Sequence, residues 1–388
     1  MQFIDLAFQQ KRIRSQLEKS ILGVLDHGQY IMGPEIKKLE KQLAEFTGVK
    51  NAISCASGTD ALLLALMAYG VGPGDAILTS PFTFIATAEV IQLIGATPVF
   101  VDIDPASFNI DPKQLSMAIT AIKERTATKY PLPKTGVENL KPRGVIAVDL
   151  FGLPADYSAV NKIARDHGLF VIEDAAQAFG AEFQGKKACA LTAVGCTSFF
   201  PAKPLGCYGD GGMCFTDDDH LSEVMDSLRV HGKGNDKYDN VRVGINGRMD
   251  TLQAAILLSK FSVFPEEVEL RQRVARQYNE LLSGIEHLAV PRVPSGSKSV
   301  WAQYSLLAKT EEHRTRLQNG LKQAGVPTAV YYPKPLHLQT AFAHLGYHQG
   351  DFPVSEDASR RIFSLPMHPY LDMKDQEMIA KTVRGITG

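Results

Sequence analysis

The sequence predicts an α/β fold that is divided into a large and a small domain. Between residues 51 and 216 short apolar runs alternate with helix-length segments, a pattern typical of a mostly parallel sheet covered by helices on both faces. The runs predict a seven-stranded sheet, with strands over residues 52–54, 76–79, 97–101, 145–148, 169–172, 196–199 and 213–216. Residues 1–250 are therefore predicted to form the large domain, and residues 251–388 a linking helix and a smaller α+β domain.

Helical patterns flank this alternation. Residues 10–27 predict a helix that ends at Gly28, and a second helix begins at Pro34, because proline fits the first turn of a helix. Residues 250–283 predict a long helical stretch that is broken by a proline. Residues 121–143 are rich in lysine, arginine and proline, so we expect a surface excursion there.

The composition excludes several classes of protein. The chain has 388 residues, a formal net charge of −1 and 45% hydrophobic residues, so it carries no basic footprint for nucleic acid or anionic lipid. Its apolar runs are too short to cross a membrane, and its first residues lack the regions of a signal peptide. The five cysteines are scattered, which predicts neither disulfides nor a metal site and favours a reducing cytoplasm.

A single lysine in an apolar, proline-framed loop is the most informative feature of the chain. Lys203 lies in the segment 198–206 (SFFPAKPLG), with glycines following at 209, 211 and 212. Burial disfavours the ammonium form and lowers a lysine pKa. The neutral amine is a nucleophile that forms a Schiff base with a carbonyl compound such as pyridoxal phosphate (PLP). Taken by itself, this stretch favours the alternative, which is a surface lysine whose aliphatic stem packs on aromatic residues.

Two further motifs follow predicted strands. Ser57, Gly58 and Thr59 open an apolar helix, and the free N–H groups of such a turn suit a phosphate; the alternative is a plain helix cap. Glu173 and Asp174 end another strand, where ligands bind in open α/β sheets. A carboxylate there can pair with the pyridine nitrogen of PLP. The alternatives are a helix-capping aspartate or a magnesium ligand.

Three weaker motifs carry less information singly. Phe82 follows a strand and suits stacking on a flat ring, although core packing is the simpler interpretation. The segment 246–250 (NGRMD), with Arg229, His231 and Lys233 upstream, offers donors for phosphate or carboxylate groups, or is a solvated loop. The segments 331–337 (YYPKPLH) and 364–369 (SLPMHP) line either a pocket or a domain contact.

The order of these motifs is more specific than any one of them. A phosphate turn comes first, then an aromatic residue, a strand-end aspartate, and a serine and a lysine about five residues apart. This order, on an alternating α/β domain with a smaller C-terminal domain, predicts the aspartate-aminotransferase-type PLP fold.

On these motifs the sequence resembles the nucleotide-sugar aminotransferases of the DegT/StrS type over nearly its whole length. Other matching segments are 28–35 (GQYIMGPE), 57–62 (SGTDAL), 173–177 (EDAAQ), 246–255 (NGRMDTLQAA) and 364–369. Segments 207–212 and 327–330 most resemble the branch of that family that acts on UDP-2-acetamido-2-deoxy-3-oxo-glucuronate in surface-polysaccharide and O-antigen (lipopolysaccharide) synthesis. Tyr331 stands where that branch leads us to expect a histidine.

The resemblance implies a role for each residue singled out above. Lys203 would hold PLP covalently and move a proton between the cofactor and the sugar, and Asp174 would pair with the pyridine nitrogen. The other implied cofactor contacts are Gln177 at the ring hydroxyl, Gly58, Thr59 and Ser198 at the phosphate, Phe82 on the ring and Asn246 from the neighbouring subunit. The implied substrate contacts are Arg248, also from the neighbour, with Tyr331, Tyr332 and His337.

The resemblance also implies the reaction and the partners. A cytoplasmic homodimer with shared active sites would take an amino group from L-glutamate, hold it as pyridoxamine phosphate, and pass it to the keto carbon of a nucleotide sugar. One alternative is a PLP-dependent sugar dehydratase, in which histidine replaces the lysine. Another is a non-catalytic nucleotide-sugar sensor. A nicotinamide oxidoreductase is disfavoured, because no glycine-rich dinucleotide turn follows the first strand.

Overall fold

A seven-stranded sheet forms the centre of the computed structural model, which describes residues 1–134, 139–236 and 238–387. Its strands are β1 (Asn51–Cys55), β2 (Asp75–Thr79), β3 (Thr97–Phe100), β4 (Lys141–Val148), β5 (Phe170–Asp174), β8 (Val194–Ser198) and β9 (Gly212–Thr216). The short strands β6 (Glu182–Phe183) and β7 (Lys186–Lys187) lie in a separate small sheet. The strand order is β1-β9-β8-β5-β4-β2-β3. β9 runs antiparallel to both of its neighbours and the other neighbouring pairs are parallel, so the predicted mostly parallel sheet is confirmed.

Helices cover both faces of this sheet. They are α1 (Leu6–His27), α2 (Pro34–Thr47), α3 (Gly58–Ala68), α4 (Ala86–Leu93), α5 (Pro112–Glu124), α6 (Tyr157–His167), α7 (Asp219–Leu228), α8 (Thr251–Phe261) and α9 (Phe264–Leu282). Alternate residues of one strand enter different cores: Leu78 packs with residues of α5 and α6, and Ile77 with residues of α3 and α7. This alternation follows from the two-residue period of side chains along a strand. None of the described helices has the length and apolar character needed to cross a membrane.

The C-terminal part is a smaller α+β unit. Strands β10 (Leu288–Ala289), β12 (Tyr304–Ala308) and β13 (Ile362–Leu365) form an antiparallel sheet, and α10 (Glu311–Gln323), α11 (Pro353–Arg361) and α12 (Met373–Thr387) accompany it. A third small sheet joins β11 (Ser297–Lys298) to β6 (Glu182–Phe183) and β7 (Lys186–Lys187). The domain boundary at residue 250 stays a prediction. Helix α8, which begins the predicted second domain, packs against α1 and α2 of the predicted first domain.

The predicted surface excursion at residues 121–143 is shorter than expected and partly buried, although Arg125, Lys129 and Lys134 are exposed. Its first residues complete α5 and its last residues begin β4. In the connection itself Tyr130 and Leu132 are buried, and the Tyr130 hydroxyl accepts a hydrogen bond from the Asp102 N–H at 3.0 Å. The sequence did not indicate that these two residues are buried, because charged residues and prolines surround them. Residues 135–138 of the prediction lie outside the described residues.

Candidate active site

Lys203 lies in a tightly closed loop between β8 and β9. Its own N–H donates to the Phe200 carbonyl at 2.9 Å, and the Cys207 N–H donates to the Phe199 carbonyl at 2.7 Å. A Cβ atom on Gly206 would lie 2.5 Å from the carbonyl oxygens of Phe200 and Pro201. Glycine is therefore required at position 206, because a side chain would open the loop that carries the lysine.

The environment of Lys203 favours the neutral amine. Burial lowers the pKa of Lys203, and the negative charge of Asp174 opposes that shift. Burial in turn raises the pKa of Asp174, against the effects of its hydrogen bonds and of Lys203. The two predicted residues are thus brought into one electrostatic environment, although Asp174 ends β5 and Lys203 lies in the loop between β8 and β9.

Asp174 is oriented by donors from two elements. Its Oδ2 accepts a hydrogen bond from the Thr87 hydroxyl of α4 at 2.8 Å, and its Oδ1 accepts one from the Ala176 N–H at 3.2 Å. These bonds stabilise the ionised carboxylate in a buried position. Sequence reasoning missed Thr87, because nothing in the pattern of α4 distinguishes it from a core threonine.

The predicted phosphate turn forms at the N-terminus of α3. Ser57 caps the helix by accepting the Asp60 N–H at 3.0 Å, which leaves the N–H groups of Gly58 and Thr59 without acceptors inside the helix. A Cβ atom on Gly58 would lie 2.6 Å from the Cβ of Ser198. The turn and the end of β8 therefore meet, and the structure brings together all three residues predicted to hold the phosphate.

Gln177 connects two segments beside Asp174. Its Oε1 accepts a hydrogen bond from the Phe151 N–H at 2.8 Å, and its Nε2 donates to the Tyr332 hydroxyl at 3.1 Å. Burial raises the pKa of the Tyr332 phenol, with Asp174 as the next contributor. Tyr332, predicted to contact substrate, thus lies near the carboxylate of Asp174.

The aromatic residue predicted to stack on the cofactor is placed differently from the expectation. Phe82 is 1% exposed and packs in a closed cluster with Phe108 and Phe151, so it offers no open ring face. Phe84 is 54% exposed, and its ring centroid lies 6.4 Å from that of Tyr332. Phe84 thus presents an exposed ring and Phe82 does not. The spacing of two phenylalanines around one threonine did not distinguish them.

His337 also differs from its predicted role as a substrate contact. It is 2% exposed, its Nε2 lies 3.1 Å from Glu356 Oε1, and its ring packs against Phe352. Burial lowers the pKa of this imidazole. His337 therefore packs between its own segment and the segment that contains Phe352 and Glu356. Tyr331, another predicted substrate contact, is half-buried.

The loop at residues 246–248 lies at the mouth of the site. The Ala56 N–H donates to the Gly247 carbonyl at 3.0 Å, which places the loop beside the phosphate turn. Arg248 donates to Asn246 Oδ1 through Nε at 3.0 Å and Nη2 at 2.6 Å. Upstream, Arg229 is buried and donates to Glu40 at 2.6 Å, so it is occupied within the fold.

This fold and this site define an enzyme of the PLP-dependent aminotransferase class. The model of the DegT/DnrJ/EryC1/StrS aminotransferase family matches residues 11–384. The chain belongs to that family, and the aspartate-aminotransferase-type fold predicted from the sequence is confirmed.

Two curated relatives are similar along almost the whole chain. The UDP-2-acetamido-2-deoxy-3-oxo-D-glucuronate aminotransferase of Pseudomonas aeruginosa is 48% identical over 98% of this chain and 98% of its own length. A protein of Geobacillus stearothermophilus named as a pleiotropic regulatory protein is 42% identical over 98% of this chain and 96% of its own length.

Solved structures agree with this assignment. An aminotransferase of the family from Brucella abortus has a TM-score of 0.94 and 49% identity, with complete coverage of both chains. The protein NtdA from Bacillus subtilis, solved with the bound cofactor PMP, has a TM-score of 0.86 and 25% identity over 99% of this chain and 83% of its own.

The residues present fit PLP. The glycine at position 58 opens a helix N-terminus to a phosphate, Asp174 supplies a buried carboxylate for the pyridine nitrogen, and Lys203 supplies an amine with a lowered pKa. When bound, this cofactor supplies the carbonyl group and the electron sink for amino transfer.

Proposed function

We propose that this aminotransferase moves an amino group from L-glutamate to the 3-keto carbon of UDP-2-acetamido-2-deoxy-3-oxo-glucuronate, in the cytoplasm, for surface-polysaccharide synthesis. The buried carboxylate of Asp174 and the lowered pKa of the Lys203 amine, each affected by the charge of the other, carry the chemistry of the proposal. The sugar is supported by the name of the Pseudomonas relative. The cytoplasmic location is supported by the five cysteines, which are all buried free thiols.

The residues of the site divide the work. Asp174 holds the pyridine nitrogen protonated, and the Thr87 hydroxyl keeps the carboxylate aligned. Gly58, Thr59 and Ser198 bind the phosphate. Lys203, as a neutral amine, accepts a proton at one carbon and returns it at another, which is the task of a general base with a lowered pKa. Arg248, which contacts Asn246 at the mouth of the site, is a cation that can bind the carboxylate of a glucuronate.

The proposal is tested by a panel of keto-sugars. The purified protein with PLP and L-glutamate is incubated with 3-keto and 4-keto forms of UDP- and dTDP-linked sugars, and the products are identified by mass and by nuclear magnetic resonance. We expect 2-oxoglutarate and an amino sugar in equal amounts, with UDP-2-acetamido-2-deoxy-3-oxo-glucuronate as the preferred substrate. A clear preference for a 4-keto sugar would contradict the assignment of the substrate.

A regulatory function is the second candidate, because a relative that is 42% identical is named as a pleiotropic regulatory protein. A sensor needs the nucleotide-sugar pocket but does not need a lysine with a lowered pKa beside Asp174. The same panel separates the two functions, since a sensor binds the sugar without releasing 2-oxoglutarate.

We further propose that Phe84 stacks on the cofactor ring. Its ring is exposed beside Tyr332, whereas Phe82 is enclosed in the core. Phe84→Leu is expected to weaken PLP binding by about 10-fold, the scale of one aromatic stacking contact, at nearly unchanged stability. The matched variant Phe82→Leu is expected to lower the free energy of unfolding and to leave PLP affinity within a factor of two or so, as a core substitution does. The reverse pattern, read by cofactor titration and urea unfolding, would restore Phe82 to the role.

We propose a homodimer whose active sites are shared. The residues Tyr30, Ile31 and Met32 are apolar and exposed. They lie beside the start of α8, shortly after the loop at residues 246–248, because the Thr251 N–H donates to the Tyr30 carbonyl at 2.9 Å. A second copy that covers this patch would bring its own residues to the site, and Asn246 is the proposed contributor. Within one chain, however, Asn246 lines the same pocket as Ala56, the residue directly before the phosphate turn of its own subunit.

Mixed dimers decide between these two placements of Asn246. A Lys203→Ala subunit and an Asn246→Ala subunit, each inactive alone, are expected to form heterodimers with one native site, because the intact lysine and asparagine meet across the interface. Activity recovered in isolated heterodimers carrying two different affinity tags is the expected result. If Asn246 acts within its own subunit, the isolated heterodimers stay inactive.

A further inference from the structure

Two buried carboxyl groups, Asp149 and Glu173, are close neighbours of Asp174 in the sheet. Asp149 follows β4 and Glu173 precedes Asp174 in β5, and both side chains are 0% exposed. The register pairs Ala147 with Glu173 and Val148 with Asp174. Successive residues of a strand point to opposite faces, so Glu173 faces away from the side chain of Asp174.

Glu173 is held as an acceptor on both of its oxygens. Its Oε1 accepts a hydrogen bond from the Cys189 N–H at 2.6 Å, and its Oε2 accepts one from the Leu191 N–H at 3.0 Å. Backbone donors stabilise the ionised form of a carboxyl group. Glu173 is therefore the member of the pair that is better suited to the negative charge.

Asp149 has one oxygen with donors and one without. Its Oδ1 accepts hydrogen bonds from the Ala155 N–H at 2.9 Å and from the Tyr157 hydroxyl at 2.8 Å. Its Oδ2 is buried and receives no donor. Asp149 follows Ala147, the register partner of Glu173, by two residues, so its side chain lies on the same face of the sheet as that of Glu173, whose charge raises the pKa of Asp149. Two carboxyl groups can share a hydrogen bond only if one of them carries a proton, and Asp149 Oδ2 is the free position for it.

The charges around the pair oppose its full ionisation. Among the residues that the structure describes, the titratable groups that act on Asp149 or are acted on by it are Glu173 on β5, Tyr157 on α6 and Cys189 in the loop before β8. Burial and the charge of Glu173 raise the pKa of Asp149, and burial raises the pKa of Glu173 to about 7. A second negative charge would therefore be placed in a buried site beside existing anions.

We propose that Asp149 is protonated at neutral pH and donates its Oδ2 proton to Glu173, forming a one-proton carboxyl pair that positions the cofactor-binding edge of the sheet. Asp149 is a positioning residue here: its N–H donates to the Asp174 carbonyl at 3.0 Å. Two residues further on, the Phe151 N–H holds Gln177 Oε1 at 2.8 Å. The consequence for the cofactor rests on the proposed function, whereas the position of the proton does not.

Two amide substitutions locate the proton. In Asp149→Asn the amide oxygen can accept from Ala155 and Tyr157 while the NH₂ group donates to Glu173, so this variant is expected to keep wild-type stability near pH 7. In Glu173→Gln the NH₂ group must face the N–H of Cys189 or Leu191, so this variant is expected to unfold readily or fail to fold. A destabilised Asp149→Asn with a tolerated Glu173→Gln would overturn the assignment.

The pH dependence of unfolding gives the second readout. A carboxyl group with a raised folded-state pKa stabilises the protein at low pH, and this contribution is lost as the pH rises through that pKa. From about pH 5 upward the ratio of wild-type to Asp149→Asn unfolding constants is expected to rise by up to roughly tenfold per pH unit until the pair ionises. An infrared difference spectrum of the same two proteins should contain the carbonyl band of a protonated carboxyl group. A pH-independent ratio without that band would refute the proposal.

Cofactor retention tests the positioning itself. During dialysis at alkaline pH, the wild-type protein is expected to release PLP faster than Asp149→Asn, because only the wild-type pair gains a second charge. Equal release from both proteins would remove the positioning role. Unfolding and infrared readouts need neither substrate nor turnover, so a failure of the proposed function leaves them interpretable.

Discussion

Replacing Lys203 with alanine is expected to abolish amino transfer. The variant loses the only amine that the structure places in the electrostatic environment of Asp174 among the described residues. Proton transfer by a positioned side chain contributes about 10²–10⁴-fold to a rate, and the covalent attachment of the cofactor is lost as well. Turnover is therefore expected to fall by more than about 10³-fold, while the phosphate turn still binds PLP non-covalently.

Chemical labelling provides the control for this variant. Borohydride reduces the lysine–cofactor bond and leaves the cofactor on one peptide, which mass spectrometry identifies. Lys260 is the matched lysine, because burial lowers its pKa to about 8, but its Nζ lies over the Tyr208 ring at 4.9 Å. The label is expected on Lys203 in the wild type and in Lys260→Met, and on neither lysine in Lys203→Ala. A label on Lys260 would contradict the assignment.

Replacing Asp174 with asparagine is expected to have the second-largest effect. The amide keeps the shape of the side chain, and its oxygen can accept from the Ala176 N–H while its NH₂ group donates to the Thr87 hydroxyl oxygen. It removes, however, the negative charge that keeps the pyridine nitrogen protonated. The loss of one preorganised electrostatic partner is expected to lower kcat by about 10²-fold or more. Urea unfolding should change little, since the buried group becomes neutral.

A graded variant separates charge from alignment at this position. Thr87→Val removes one hydrogen bond to Asp174 and leaves the carboxylate in place, so a smaller loss of kcat is expected than for Asp174→Asn. The Thr87 bond lowers the pKa of Asp174, and its removal is therefore expected to move the acid limb of the kcat profile to higher pH. Equal rates in Asp174→Asn and the wild type would remove Asp174 from catalysis.

The elements that carry the chemistry were predictable because each has a strong local signal. Apolar runs bounded by glycine and proline placed all seven strands of the sheet, with boundaries shifted by a few residues, as in β4, which begins at Lys141. Lys203 and Asp174 stand out because prolines frame the first and an apolar strand precedes the second. The family resemblance then joined motifs that are far apart in the chain.

The remaining features depend on tertiary packing and have no local signal. Phe82 and Phe84 differ only in which ring faces the core. His337 is buried by its contact with Glu356, which lies in a different segment. The carboxyl pair of Asp149 and Glu173 forms only when β4 and β5 align, so the sequence contains both acids without any sign that they share a proton.

The visible absorption spectrum of the purified protein, recorded before and after addition of L-glutamate and then of the keto-sugar, tests the central claim most directly. A lysine-bound PLP band that bleaches with glutamate and returns with UDP-2-acetamido-2-deoxy-3-oxo-glucuronate is the expected result, because it reports both half-reactions on one cofactor. A protein that binds PLP but keeps its band unchanged through both additions would contradict the proposed aminotransferase reaction.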